Sequence, residues 1–312
     1  MGASGRFATI HHGIRGSTVT DIAGSVYRGI IATTKPTVLT SGEHVVFARQ
    51  ALEGMITQID GGFIPLSEEH LTIYPPLGRI VSGSLEPTED GYEALVIEGV
   101  TLPIHDRDDD NDPFASSSDM PEEPPESVEV NVQVETRNFE PEVWSELAIA
   151  SPLPIHEVQK WSSLPPIEWL LAIPVTWGAA KFAGSFLERL GGLTADRLTQ
   201  WIGRASDAAK ESGRDRFVTL SFDLSDGRRL LGFVPFSAGT NLTELGTAVD
   251  SAGKLAEIAG SWRDATRVDA QIVAYLYSAG QWRLAWFVTD SMVLRTPYFV
   301  KHLPDPSRFL QE

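Results

Sequence analysis

The sequence predicts an α+β protein with a β-rich N-terminal module and a C-terminal module of two helices and a small antiparallel sheet. Two observations indicate this fold class. Helical apolar spacings and short β-branched runs occur in both halves of the chain, and an acidic stretch separates the halves. We therefore expect an N-terminal module over residues 1–104, a linker over 105–165 and a C-terminal module over 166–312.

The N-terminal module begins with a predicted helix, for which Ser41 is a suitable N-cap and the pair Gly61-Gly62 a stop. Apolar residues recur between them at spacings of three and four: Val45, Ala48, Leu52, Met55 and Ile59. Stretches with strand character follow, and the last two are typical of a hairpin: residues 63–66, 71–74, 78–85 and 92–100. The expected inward positions are Ile80, Leu85, Leu95, Ile97 and Val100.

The linker is recognised by its charge. Residues 106–146 contain six Asp and eight Glu against two Arg, which is most of the net charge of the molecule. Its first part, residues 106–127, adds prolines and a serine run and cannot bury enough apolar surface to offset its ordering entropy. We expect a mobile loop there, followed by one strand in which every second residue is valine, from Val128 to Val134.

The C-terminal module opens with Pro165-Pro166, which precede a predicted helix over residues 167–190 with a kink at Pro174. A second helix begins at Thr194, and its apolar face contains Leu198, Trp201, Ile202, Ala205 and Ala209. Two hairpins with a helix between them complete the order helix–helix–hairpin–helix–hairpin. The expected ranges are 216–224 with 229–236, then 243–258, then 270–277 with 282–289.

Composition excludes several classes of protein. The 42 acidic and 25 basic side chains give a net charge of -17, which disfavours nucleic acid as a partner. The chain has no cysteine, so disulfides, thiolate metal sites and thiol catalysis are excluded. The first twenty residues hold no apolar run of signal-peptide length, and we predict a cytoplasmic protein.

No cofactor or metal is predicted. The seven histidines lack the i, i+3 or i+4 partners of a metal site. Asp106, Asp108, Asp110 and Asp112 have the alternate spacing of a calcium loop, but the twelfth position is Ser117 instead of a bidentate Glu. The glycine fingerprints of phosphate and dinucleotide sites are also missing.

An uncharged stretch, residues 169–180, raises the question of a membrane contact. Its twelve positions are too few to span a bilayer, which takes about 20 apolar residues. The pattern favours a buried helix. The alternative is an interfacial helix that meets a protein partner, a second copy of the chain or a membrane surface through outward aromatic residues: Trp169, Trp177, Phe182 and Phe186.

One family resemblance bears on catalysis. It rests on the helix from Ser41, the run Phe63-Ile64-Pro65-Leu66 before His70, the run Leu77-Gly78-Arg79-Ile80 and the turn at Asp90-Gly91-Tyr92. Residues 41–104 resemble the phage prohead maturation proteases, serine peptidases related in fold to herpesvirus assemblins. The resemblance implies that His70 is a catalytic base. At the distance of the family's nucleophile this chain has Ser116–Ser118, within the acidic stretch and without a strand to fix a hydroxyl beside an imidazole.

We therefore predict a non-catalytic interaction or scaffold protein that binds protein partners or self-associates. The alternative is a serine peptidase with His70 as base and Ser118, a neighbouring serine, or Ser82 or Ser84 as nucleophile. A third hypothesis is that the acidic loop mimics nucleic acid and occupies a basic partner. The C-terminal half, with the run 168–171 and with Trp282 and Trp286, also resembles uncharacterised actinobacterial proteins.

Overall fold

The computed structural model divides the chain into two compact units, Met1–His105 with Ser291–Val293 and Asp106–Asp290 with Leu294–Glu312. It describes residues 26–38, 44–67, 72–114, 131–135, 139–152, 155–158, 168–175, 197, 200–205, 207–208, 216–224, 227–236, 246–248, 251, 254–255, 258–259 and 269–302. The boundaries expected from the sequence stay predictions.

The first unit contains a four-stranded antiparallel sheet. Its elements are β1 (Val26–Thr33), β2 (Thr37–Val38), β3 (His44–Val45), α1 (Arg49–Asp60), β4 (Ile64–Leu66), β5 (Gly78–Pro87) and β6 (Glu93–Thr101). The strand order is β1-β6-β5-β4, and β2 pairs separately with β3. Among the described strands, β1 and β4 thus form the two edges of the four-stranded sheet. β4 is only three residues long and has Pro65 at its centre.

Helix α1 covers one face of this sheet. Leu52 and Ile59 on the helix are buried with Ile80, Leu95 and Ile97 of the strands, as the apolar spacing predicts. The start of the helix was placed too early, because His44–Val45 is strand β3 and the helix begins only at Arg49. The β-branched pair Val45-Val46 favours extended backbone, so apolar spacing alone overestimated the length of the helix.

A nine-stranded mixed sheet contains the remaining strands in the order β7-β15-β14-β13-β12-β11-β10-β8-β9. Its strands are β7 (Ile104–Asp106), β8 (Asn131–Glu135), β9 (Ile155–Val158), β10 (Glu168–Val175), β11 (Arg216–Leu224), β12 (Arg229–Phe236), β13 (Ala270–Ser278), β14 (Gln281–Thr289) and β15 (Val293–Arg295). Helices α2 (Pro141–Ile149) and α3 (Pro297–His302) complete the described elements that have defined bounds.

The predicted fold class is wrong, because the first helix of the predicted C-terminal module is a strand over its described residues. Glu168–Val175 forms β10, parallel to β11 and antiparallel to β8. The module helix–helix–hairpin–helix–hairpin is therefore not present, and the protein is mostly β. An interior strand of a covered sheet carries a continuous apolar run, which periodicity alone cannot distinguish from a buried helix.

Three strand pairs described in the second unit are parallel, of which β8–β9 is joined through α2 and the other two through longer connections. β10 pairs in parallel with β11, and β12 with β13, so each pair needs a long crossover connection. Helical residues lie within both connections, at 200–205 and 246–248. From these connections Trp201, Ile202 and Leu255 are buried in one core cluster with residues of strands β11 to β14. The crossovers thus supply apolar side chains to the face of the sheet on which that cluster lies.

Both hairpins of this unit have the strands that the sequence predicts. β11 pairs with β12, and β13 with β14, each in antiparallel register. Their turns contain Gly227 at φ 88° and Gly280 at φ 78°, left-handed conformations that glycine adopts without steric cost. The predicted strand of alternating valines is also present as β8. It lies, with α2 and β9, inside the range predicted as a linker.

Candidate functional site

The sequence-predicted site residues are almost all outside the part of the chain that the structure describes. Trp169 lies on strand β10, not on a helix, and only its backbone position is described. The others fall outside the described residues: His70, Ser116–Ser118, Trp177, Phe182 and Phe186. Pairing of His70 with a serine and the aromatic binding surface therefore stay predictions.

Ser82 and Ser84, the alternative nucleophiles, are described and lie on β5. The Ser82 hydroxyl donates to Glu98 Oε2 at 3.1 Å, and the Ser84 hydroxyl donates to Glu86 Oε1 at 3.2 Å. Both hydrogen bonds are exposed to solvent. An activated serine needs a general base in a preorganised site, and two exposed hydroxyl–carboxylate pairs do not form one.

The acidic segment, residues 106–114, is anchored by hydrogen bonds where the sequence predicted a mobile loop. Three of its carboxylates are bound by protein donors: Asp106 by the Arg295 guanidinium at 2.8 Å, Asp109 by Arg107 at 2.7 Å, and Asp110 by the backbone N–H of Tyr298 at 2.7 Å. The entropy argument missed Arg295 and Tyr298 because these two partners lie almost two hundred positions away along the chain. Within the described residues, no three His, Asp or Glu side chains gather where they could hold a metal ion.

Asp112 anchors the end of this segment to the core. The Tyr275 hydroxyl lies 3.0 and 3.1 Å from the two carboxylate oxygens of Asp112, which also accepts the backbone N–H of Phe114 at 2.9 Å. The Phe114 ring is buried and packs edge-on against Phe287, with centroids 5.2 Å apart. Burial, reinforced by the charge of Asp112, raises the pKa of Tyr275 well above its ordinary value, so the phenol stays a neutral donor. The role of these contacts is structural, because they fix the end of the acidic segment to the core.

Strand β1 carries two of the most exposed aliphatic side chains in the described part of the chain. Val26 is 70% exposed and Ile30 is 61% exposed, and Arg28 lies between them on the same face. We call Val26, Arg28 and Ile30 the β1 stripe. Isolated exposed aliphatic residues are common, but two at alternate positions on an edge strand present a surface that another strand could cover.

The β1 stripe continues across the sheet in three rows. Val26 is opposite Val100, Arg28 is opposite Glu98, and Ile30 is opposite Val96. The next strand places Ser82 opposite Glu98. The apolar side chains thus flank a polar row. A register shift after Ile30 ends the regular pairing, so the uniform part of β1 is Val26–Ile30.

The charge around Arg28 is negative in excess. The Arg28 guanidinium forms an ion pair with Glu86, and its Nε lies 3.9 Å from Glu98 Oε1. One cation therefore faces two carboxylates. These groups are more than a third exposed, so each ion pair contributes only about 0–1 kcal/mol to stability. Their effect is to set which charge an approaching strand should carry.

The sequence contained a signal for this surface that was missed. Residues 26–33, VYRGIIAT, are rich in β-branched and aromatic residues, which is typical of a strand. Their exposure could not be predicted, because it depends on which strand lies at the edge and which sheet face α1 covers.

No protein-family model, curated protein or solved structure matches the chain. The resemblance of residues 41–104 to prohead maturation proteases therefore stays a prediction. Among the helices that the structure describes, none is both long and apolar enough to cross a bilayer.

Proposed function

We propose that this is a non-catalytic interaction protein that binds an extended polypeptide segment at the edge strand β1. The observation that carries the proposal is the exposure of Val26 and Ile30 on an edge strand of the described sheet. An added strand would pair with the outer backbone N–H and C=O groups of β1 and cover both side chains.

The expected energy of such binding comes from two sources. Burial of an aliphatic side chain contributes about 1.5–3 kcal/mol when the side chain starts fully exposed, and Val26 and Ile30 start largely exposed. Each new backbone hydrogen bond contributes about 0.5–1.5 kcal/mol. Ordering of the incoming segment opposes both, so the net affinity depends on how well its side chains match the β1 stripe.

The stripe also predicts the sequence of the segment that binds. Apolar residues should lie opposite Val26 and Ile30, and a basic residue should lie between them, because Glu86 and Glu98 outnumber Arg28. An acidic residue at the central position would meet like charge. Specificity thus requires an alternating apolar–basic–apolar pattern.

Panning of a random peptide library on the full-length protein tests this proposal. We expect enrichment of peptides with the apolar–basic–apolar alternation, and at least tenfold weaker binding of those peptides to the double variant Val26→Glu/Ile30→Glu. The matched control is Ile149→Glu, at an aliphatic residue that is 85% exposed but lies on α2. Failure to enrich any such peptide, or equal binding to the double variant, would overturn the proposal.

A further inference from the structure

Building on the proposed function, we infer that the strand which pairs with β1 is β1 of a second copy of this chain, in antiparallel orientation and centred on Arg28. The uniform part of β1, Val26–Ile30, presents an apolar, a basic and an apolar side chain on its exposed face. This is the pattern that the β1 stripe itself requires of its partner. The chain therefore contains a segment complementary to its own edge.

Symmetry fixes the register. Two identical antiparallel strands pair about a two-fold axis, and directly opposite residues point to the same face of the sheet. With Arg28 on the axis, Val26 of each copy lies opposite Ile30 of the other. A shift of the axis to Tyr27 or Gly29 would place Arg28 opposite an aliphatic residue instead. Only the register centred on Arg28 covers all four aliphatic side chains with aliphatic partners.

Charge is compatible with the same register. Arg28 of one copy would lie opposite Arg28 of the other, and two like charges in this position normally destabilise a strand pair. Here each Arg28 keeps two carboxylates of its own copy, Glu98 opposite it on β6 and Glu86 of β5, which reaches it from a position opposite Ala94, so two guanidinium groups meet four carboxylates. The ratio of two carboxylates to one guanidinium is the same in the pair as in each copy, and these carboxylates offset the repulsion between the two guanidinium groups.

Over Val26–Ile30 the strand lacks most of the usual protection against edge pairing, because its register shift lies after this stretch, between Ile30 and Ala32. Natural edge strands are blocked by proline, by lysine or by an unpaired inward charge. β1 contains no proline or lysine, and Arg28, its only charged residue, is neutralised within its own chain. Pairing would join two four-stranded sheets into one sheet of eight strands.

The test has two stages, both on the full chain. Sedimentation equilibrium over a hundredfold concentration range should show a monomer–dimer equilibrium. The Val26→Glu/Ile30→Glu variant should dimerise at least tenfold more weakly, whereas Ile149→Glu should match the unmodified chain. A protein that stays monomeric throughout would overturn the inference. The proposed function would still stand if stripe-dependent peptides bind to that monomer, and both fail if they do not.

Disulfide trapping tests the register, because the chain has no cysteine of its own. A mixture of Val26→Cys and Ile30→Cys proteins should form at least ten times more oxidised dimer than either protein alone. In the inferred register the substituted positions face each other only in the mixed pair. Circular dichroism establishes that the variants fold. The register centred on Arg28 would be overturned if Val26→Cys alone gave as much oxidised dimer as the mixture. It would also be overturned if the proteins dimerised but neither the mixture nor the single variants gave oxidised dimer.

Discussion

At the scale of single residues, two buried tyrosines on β13 differ in one respect. Tyr275 is 1% exposed, and its hydroxyl bonds to Asp112. Tyr277 is also buried, but within the described part of the chain its hydroxyl has no hydrogen-bond partner. The two residues share an environment in the same core cluster and so form a natural comparison.

Replacement of Tyr275 by Phe should lower the free energy of unfolding by about 1–3 kcal/mol, because it removes the hydroxyl that donates to the Asp112 carboxylate. Urea denaturation measures this change. Tyr277→Phe is the control and should leave stability unchanged or slightly raised, since its hydroxyl is buried without a partner among the described residues. A larger loss for Tyr277→Phe than for Tyr275→Phe would contradict the role given to the Asp112 contact.

The Tyr275 phenol should also make the stability of the protein depend on pH in the alkaline range. The folded pKa of Tyr275 is raised above the ordinary value of 10.0, so the folded state holds the proton more tightly than the unfolded state. Its contribution to stability is therefore complete below the unfolded pKa, and it is lost progressively as pH rises from there towards the folded pKa. We expect stability to fall above pH about 10 by up to about 1.4 kcal/mol per pH unit from this group.

The contribution of the Tyr275 phenol can be isolated by comparing two proteins, the unmodified chain and Tyr275→Phe. Their unfolding curves are measured between pH 8 and 11. The variant should show a shallower loss of stability across this range. Identical pH dependence in the two proteins would show that the Tyr275 phenol ionises as readily in the folded chain as in the unfolded one.

At the scale of elements, close packing between a crossover and the sheet depends on Gly232. A Cβ at this position of β12 would overlap Leu255 Cδ1 and would lie 3.0 Å from the Trp282 ring. Leu255 and Trp282 belong to the same core cluster, and the Trp282 indole N–H donates to Ser251 Oγ at 2.9 Å. Several groups would thus have to move to admit one methyl group.

Gly232→Ala should therefore destabilise the protein by about 1–3 kcal/mol, the usual cost of overpacking. The control is Gly54→Ala within α1, where no atom lies within 4 Å of the added Cβ. That change should stabilise by about 0.5–1 kcal/mol, because alanine favours helix over glycine. Thermal unfolding of both variants measures the two effects, and a shift of the same sign in both would contradict this account.

Elements that rest on local chemistry were predictable from the sequence. The hairpins β11–β12 and β13–β14 follow from alternation and from glycine at their turns, and Leu52 and Ile59 follow from helical spacing. β10 was not predictable, because its run from Trp169 to Val175 has no polar alternation and owes its conformation to neighbouring strands. The candidate surface was missed for a related reason, since edge position is a property of the whole sheet.

At the scale of the whole molecule, net charge alone was a poor guide to structure. The carboxylates between residues 106 and 112 suggested a solvated, mobile segment, yet four of them bond to donors in the second unit. A charge count does not reveal whether an acidic side chain meets a guanidinium, an amide or water. The third hypothesis from the sequence was that the acidic loop mimics nucleic acid. In this part of the chain, fewer carboxylates are available to a basic partner than their number implies.

A non-catalytic protein should not react with a fluorophosphonate probe for activated serine. We expect no covalent labelling of the full chain, because the described candidates Ser82 and Ser84 donate to exposed carboxylates. Intact mass spectrometry measures the adduct, with a serine peptidase in the same solution as the positive control. An adduct that disappears in His70→Ala would instead support the peptidase hypothesis.

The opposite edge of the four-stranded sheet limits how far strand addition can proceed. β4 is three residues long, and Pro65 at its centre has no N–H to offer another chain. Growth is thus open at β1 and blocked at β4. Among the described strands of this sheet, a segment can therefore be added at one edge only, and the added segment is not matched by a second one at the far edge.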